Sequence, residues 1–240
     1  MSDAVAEGTS RPYLHTAHAP GYGIAIRRSV FLAGAAALLG AAPAADPLLR
    51  FQLHATFYSK QLQIEPAVDP QVFVGDPTVS IGGIGLEGIE HVAGLRALRL
   101  SDANVPLFTA EGAHMGFTST KWLAATGSAS LAPFDDGAVR VKLDFVNLVV
   151  FGAYSVLKRF AGASGDVFLP LDGAGDKNGF VADDAGHASL AIRSPQPLGE
   201  TGALLLVYHS NGKPQAQRSG SIGVTSHDHL IAPFGAITSS

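Results

Sequence analysis

Cysteine is absent from all 240 residues, which excludes disulfide staples, thiolate metal centres and a cysteine nucleophile. Charge is sparse. Asp, Glu, Lys and Arg make up 15% of the chain and hydrophobic residues 47%; the usual charged share is about a quarter. A chain this apolar can bury a core, so wholesale disorder is excluded. There is no basic excess either: 16 Lys and Arg stand against 20 Asp and Glu, for a net charge of −4. Phosphate-binding surfaces carry the opposite balance, so nucleic acid is not an expected partner. Glycine and proline (28 and 14 residues) follow no G-X-Y period, which excludes collagen. No internal repeat is visible, so solenoids and propellers are not expected.

Segments able to span a bilayer are missing, and one uncharged run approaches that length, from Ser29 to Ala45. It is rich in Ala and Gly and lies at the short end of the roughly 17–25 residues a membrane-spanning helix needs. It follows Arg27-Arg28 and ends in Ala42-Pro43-Ala44-Ala45, a small-residue site that a signal peptidase accepts. The pair Arg27-Arg28, then Ser29, then Val30-Phe31, resembles the twin-arginine (Tat) signal of bacterial export. The resemblance covers the leader alone. It implies a protein exported already folded, sometimes with a cofactor loaded first. Residues 1–44 are therefore expected to be an N-terminal extension and Tat-like signal peptide, and residues 45–240 a single domain. The expected location is the periplasm or the outside of the cell, with membrane contact only through the leader.

The remainder reads as strands. Leu49, Phe51, Leu53, Ala55 and Phe57 alternate with polar residues through Tyr58, the period-two pattern of a half-buried strand. Val139 to Phe145 alternates in the same way after the turn signal Asp135-Asp136-Gly137. Ala153 to Phe160 is a further strand. Phe180 to Ala182 and His187 to Ile192 flank Asp183-Asp184-Ala185-Gly186 as a hairpin. Ala203 to His209 is continuously apolar, as a central strand buried on both faces would be. It runs into Ser210-Asn211-Gly212-Lys213, which predicts a tight type I′ turn. Ile222 to Ile231 forms the last strand. One short helix is expected over Thr118 to Thr126, stopped by Gly127. Short strands punctuated by Gly, Pro and Asp predict an all-β antiparallel β-sandwich, Ig-like or related, with one short helix.

Several segments carry possible chemistry. Gly83-Ile84-Gly85-Leu86-Glu87-Gly88 matches G-x-G-x-x-G, but the chain lacks the alternating strand and helix units that make this a dinucleotide site. A bend in a twisted sheet explains it better. Asp172, Asp176, Asn178, Asp183 and Asp184 sit in a Gly-rich stretch. A calcium loop there lacks its first acidic ligand (Ala174) and its bidentate Glu (Ala185), and a loop held by Asx turns fits as well. Trp122 with Phe117, and Tyr154 with Phe160, suit either a sugar platform or a core. No G-x-S-x-G elbow is present.

The sharpest feature is His227-Asp228-His229. On a regular strand the two imidazoles share a face, with Cα atoms roughly 6.5–7 Å apart. They can then close on one Zn²⁺ or Cu²⁺. His209 is the natural third ligand, with His114 as a second option, and Asp228 points to the other face. The leading expectation is an exported binding or interaction module with an extracytoplasmic ligand or protein partner. The alternative is a copper- or zinc-binding protein or metalloenzyme using His209, His227 and His229. A hydrolase built from loops is a third possibility.

Overall fold

The structure is a computed structural model, and it describes residues 48–162, 165–199, 201–214 and 221–235. The leader, including Arg27-Arg28 and the Ala44 site, lies outside these residues. The described residues all belong to the compact unit Ala44–Ser240. No described helix is long and apolar enough to cross a membrane.

The chain runs β1 (Leu48–Leu53), α1 (His54–Leu62), β2 (Val68–Gly75), β3 (Gly83–Ile84), a 3₁₀ turn (Leu86–Gly88), β4 (Glu90–His91), β5 (Leu95–Arg99) and β6 (Pro106–Phe108). It continues through β7 (His114–Thr118), α2 (Ser119–Leu123), β8 (Thr126–Pro133), β9 (Val139–Val146), β10 (Ala153–Gly162) and β11 (Gly165–Pro170). The last elements are β12 (Gly179–Val181), β13 (Ala188–Ser194), β14 (Gly202–His209) and β15 (Ser226–Phe234). A nine-stranded sheet has the order β11-β10-β14-β15-β1-β8-β9-β13, with β12 also on β10. A four-stranded sheet has the order β5-β2-β6-β7, and β3 pairs with β4 alone. The fold is all-β, and the strands of each sheet pair antiparallel.

One main core cluster draws on both sheets. Leu204, Leu206, Leu230 and Ala232 of the large sheet meet Val72, Val74, Leu98 and Leu107 of the small one. The opposite face of β14 and β15 buries Leu205, Val207 and Ile231 against Phe57 of α1 and Phe168 of β11. Burial on both faces is why Ala203 to His209 is continuously apolar.

The expected strands over Val139 to Phe145, Ala153 to Phe160 and Ala203 to His209 are present. Four local expectations are corrected. The alternation from Leu49 stops being a strand at Leu53, and His54–Leu62 is a helix. The described residues thus hold two α-helices where one was expected. The second is shorter than expected, and Gly127 lies in β8 opposite Phe51 and Phe145, so it is not the helix stop. The turn at Asp183–Gly186 forms, since Asp183 N–H donates to His187 O at 2.9 Å, but its flanking strands part company. β12 joins β10, whereas β13 joins β9. Finally, Gly212 N–H donates to His209 O at 3.1 Å with Gly212 at φ +71°, while Asn211 stays out of the left-handed region that a type I′ turn requires. The strand that pairs with His209 begins at Ser226, and Ser210 N–H donates to Thr225 O at 3.1 Å.

Candidate functional site

Two bulges build the site. Pro70 has no N–H to give the ladder between β2 and β5, and their register shifts between Asp69 and Phe73. In β15 the register against β14 shifts between Leu206↔Leu230 and Val207↔Asp228, leaving His229 as the extra residue. Asp228 therefore faces one side of the sheet and His227 the other. His229 swings onto Trp122, with ring centroids 3.6 Å apart and planes 8° from parallel.

The polar groups of the two bulges meet. Gln71 Oε1 accepts from Asp228 N–H at 2.7 Å, and Gln71 Nε2 donates to Asp228 Oδ2 at 3.1 Å and to Glu87 Oε2 at 2.7 Å. Asp69 accepts from Trp122 Nε1–H at 2.9 Å and from Gln71 N–H at 3.0 Å. His54 Nε2 lies 3.9 Å from Asp228 Oδ2. Burial pushes the Asp69 carboxyl up to about 7; its two hydrogen bonds oppose that shift, and the negative charges of Glu87 and Asp228 add to it. Burial, with Glu87 nearby, likewise raises the Tyr58 phenol.

All three histidines singled out in the sequence are buried, and burial lowers each imidazole: His209 and His227 to about 4, and His229 to about 3. Their contacts differ. His227 Nδ1–H donates to Gln71 O at 2.9 Å, and its Nε2 faces Ser210 Oγ at 3.2 Å. His229 Nε2–H donates to Trp122 O at 2.8 Å, and its buried Nδ1 has no hydrogen-bond partner. His209 Nε2 is 2.8 Å from Ser155 Oγ, and its Nδ1 is 3.4 Å from Ser226 Oγ. His114 lies apart, exposed on β7, edge-on to Phe108 and accepting from Gly116 N–H. Among the described residues, no group of three or more His, Asp or Glu side chains is disposed to hold a metal ion. The bulge breaks the i, i+2 alternation: His227 donates to the Gln71 carbonyl, while His229 donates to the Trp122 carbonyl and stacks on its indole. Nor is Ser155–His209 a hydrolytic pair, because Ser155 is fully buried and a serine, not a carboxylate, faces the second nitrogen.

The network opens to solvent at one cleft of about 450 Å³, lined by His54, Tyr58, Glu87, Arg159, Asp166 and Asp228. Arg159 is committed to Asp166 at 2.6 Å. Glu87 reaches the cleft from the Gly83–Gly88 segment, where it adopts φ +56°. That segment is a turn between the two short strands β3 and β4 with no helix after it, so it offers no helix terminus to a pyrophosphate. The Gly-rich loop is an Asx loop: Asp172 accepts from Gly175 and Lys177 N–H, both at 2.7 Å, and Asn178 is buried, donating to Val156 O. The aromatic pairs are core. Trp122 stacks on Phe117, and Tyr154 stacks on Phe180 rather than approaching Phe160.

His54, Asp69, Gln71 and Glu87 were not visible as site residues in the sequence. One signal was available: Pro70, which has no N–H for a ladder, stands two residues before the apolar stretch Val72 to Val74 and marks a bulge. No protein-family model matches the chain, and no curated protein matches it.

Proposed function

We propose that this is an exported binding protein of sandwich-type β architecture that takes a cationic ligand in the Glu87–Asp228 cleft. It works in the periplasm or outside the cell after removal of a Tat-type leader. The observation that carries the reading is the shared amide. Gln71 Nε2 donates to both Glu87 and Asp228, so two carboxylates are held together on the wall of one 450 Å³ cleft. Burial raises Asp69 and Tyr58, and the charge of Glu87 adds to both shifts and that of Asp228 to the Asp69 shift. A positive ligand relieves that repulsion, while an anion adds to it. Leu62, Phe168 and Ile222 line the same cleft and give a ligand an apolar wall.

A copper or zinc centre on His209, His227 and His229 has one observation in its favour. Burial keeps the imidazoles neutral, the form a metal binds. It requires His227 to release Gln71 O or Ser210, whereas His229 can offer its Nδ1 while its Nε2–H stays on the Trp122 carbonyl.

Calorimetric titration with spermidine, alongside thermal unfolding with added zinc or copper, separates the two. Saturable spermidine binding that weakens about tenfold in Glu87→Gln, with no rise in melting temperature from metal, supports the cleft. No spermidine binding, or binding unchanged in Glu87→Gln, defeats it. A metal-dependent rise in melting temperature that disappears in His227→Ala favours the histidine centre instead.

A further inference from the structure

A second cleft, of about 490 Å³, lies between the Asn147–Gly152 loop and the β7–α2 connection, with the end of β14 lining it. Its chemistry is opposite to that of the acidic cleft. Among the described residues no Asp or Glu lines it, and Lys121 is the charged side chain. The Lys121 ammonium makes no hydrogen bond or ion pair to any described residue. Nor does the Tyr208 hydroxyl, which lines the same cleft and which burial pushes up to about 12, keeping it a neutral donor. Met115, Phe117, Val149, Val150 and Phe151 give the wall its apolar and aromatic part, and its other polar side chains, His209 and Ser210, are engaged with Ser155, Ser226 and the Val224 carbonyl.

The loop on one side is held rigidly. Leu148 N–H donates to Gly186 O at 2.8 Å, Val149 N–H to the Tyr154 hydroxyl at 3.0 Å, and Gly152 N–H to Val149 O at 2.9 Å. Within it Phe151 adopts φ +54°, in the left-handed region that a bulky residue avoids, yet its side chain remains 68% exposed. The fold therefore keeps a phenyl ring at the lip of the cleft against its backbone preference and without burial in return. Strain of this kind is a mark of preorganisation for a ligand.

We infer that this cleft binds an aromatic carboxylate. The ring of the ligand lies among Phe117, Val150 and Phe151, and its carboxylate takes the Lys121 ammonium and the Tyr208 hydroxyl. A cation is disfavoured because Lys121 has no counter-charge on the wall. A polyhydroxylated ligand finds too few polar partners there to replace water. The inference is independent of the acidic cleft.

The test uses 2-naphthoate as probe and 2-naphthalenemethanol as its uncharged counterpart. Trp122 is the one tryptophan of the chain and stacks on Phe117 with centroids 5.9 Å apart, so its fluorescence reports occupancy. Naphthoate is expected to quench or shift that emission saturably, about tenfold more tightly than the alcohol. Lys121→Met should erase the difference between the two probes. Phe151→Asn keeps a residue that tolerates the left-handed region while removing the ring, and should weaken both probes with an unchanged circular dichroism spectrum. Glu87→Gln should change neither. The inference is overturned if naphthoate gives no saturable change at millimolar concentration. It is equally overturned if wild type does not prefer naphthoate, or if Lys121→Met and Phe151→Asn bind as wild type does.

Discussion

Four buried side chains have shifted titrations that bear on stability between about pH 4 and 7. His209, His227 and His229 are held at about 4, 4 and 3 by burial, against about 6.5 in an unfolded chain. Unfolding in acid lets each take up a proton. Their contribution to stability is complete above about pH 6.5 and is lost as the pH falls toward their folded values. Asp69 works the other way. With its folded pKa raised to about 7, it stays protonated in the fold while the unfolded chain ionises from about 3.9. Its contribution falls as pH rises through that window. Three groups against one leave a net uptake of about two protons on unfolding between roughly pH 4 and 6.5, so stability peaks near neutrality. Asp69→Asn mimics the protonated acid. It should steepen the acid limb of urea-derived stability toward three protons; an acid limb no steeper than that of wild type sinks the assignment. The H-x-H pattern was legible in the sequence, but its burial was not. Asp69 was illegible because its partner Trp122 lies 53 positions away, and Gln71 meets Asp228 across 157. No local pattern encodes such distances.

At the level of elements, period-two alternation identified β9 because one of its faces is wet, and an unbroken apolar run identified β14 because neither is. The same alternation misled at His54. In the helix that follows, His54, Ala55 and Ser59 are buried, and the Ser59 hydroxyl donates to Val68 O at 3.1 Å and accepts from Val68 N–H at 2.9 Å. Tertiary attachment to β2 overrides a pattern that a strand would have satisfied equally. The Asp183–Gly186 turn was recognisable from its residues, whereas the divergence of β12 and β13 was not, because each finds its partner elsewhere in the chain. Gly186 is where that turn is most exacting. It sits at φ +74°, and a Cβ there would collide with the Leu148 carbonyl oxygen. The Leu148 N–H also donates to Gly186 O at 2.8 Å, so the two backbones have no room to separate without losing that bond. Gly186→Ala is expected to cost about 2–4 kcal/mol from strain and collision together, read as a lower urea midpoint at unchanged slope. A loss under about 0.5 kcal/mol, the range of ordinary surface changes, would show that the loop yields.

Across the whole molecule, the first described strand is completed by the last. β1 lies between β15 and β8, with Leu53 opposite Leu230 and Phe51 opposite Gly127. The centre of the large sheet therefore cannot close until β15 has been synthesised, and pairing over such a span is slow. A chain of this topology gains from folding in the cytoplasm, with time and chaperones available, before it moves. That is the order of events a twin-arginine leader implies, and the absence of cysteine removes any need for an oxidising compartment to finish the fold. The proposed route is testable on the leader alone. Replacing Arg27 and Arg28 by lysine preserves the positive flank that a general secretory signal uses but removes the twin-arginine feature. The double variant should accumulate in the cytoplasm as a folded, full-length precursor, while wild type appears in the periplasm or medium with a mass that begins at Ala45. Equal export of both would leave the leader a general secretory signal. Retention of Met1 on wild-type protein in the cytosol would end the export proposal, and the binding reading would then have to be sought among cytosolic cations.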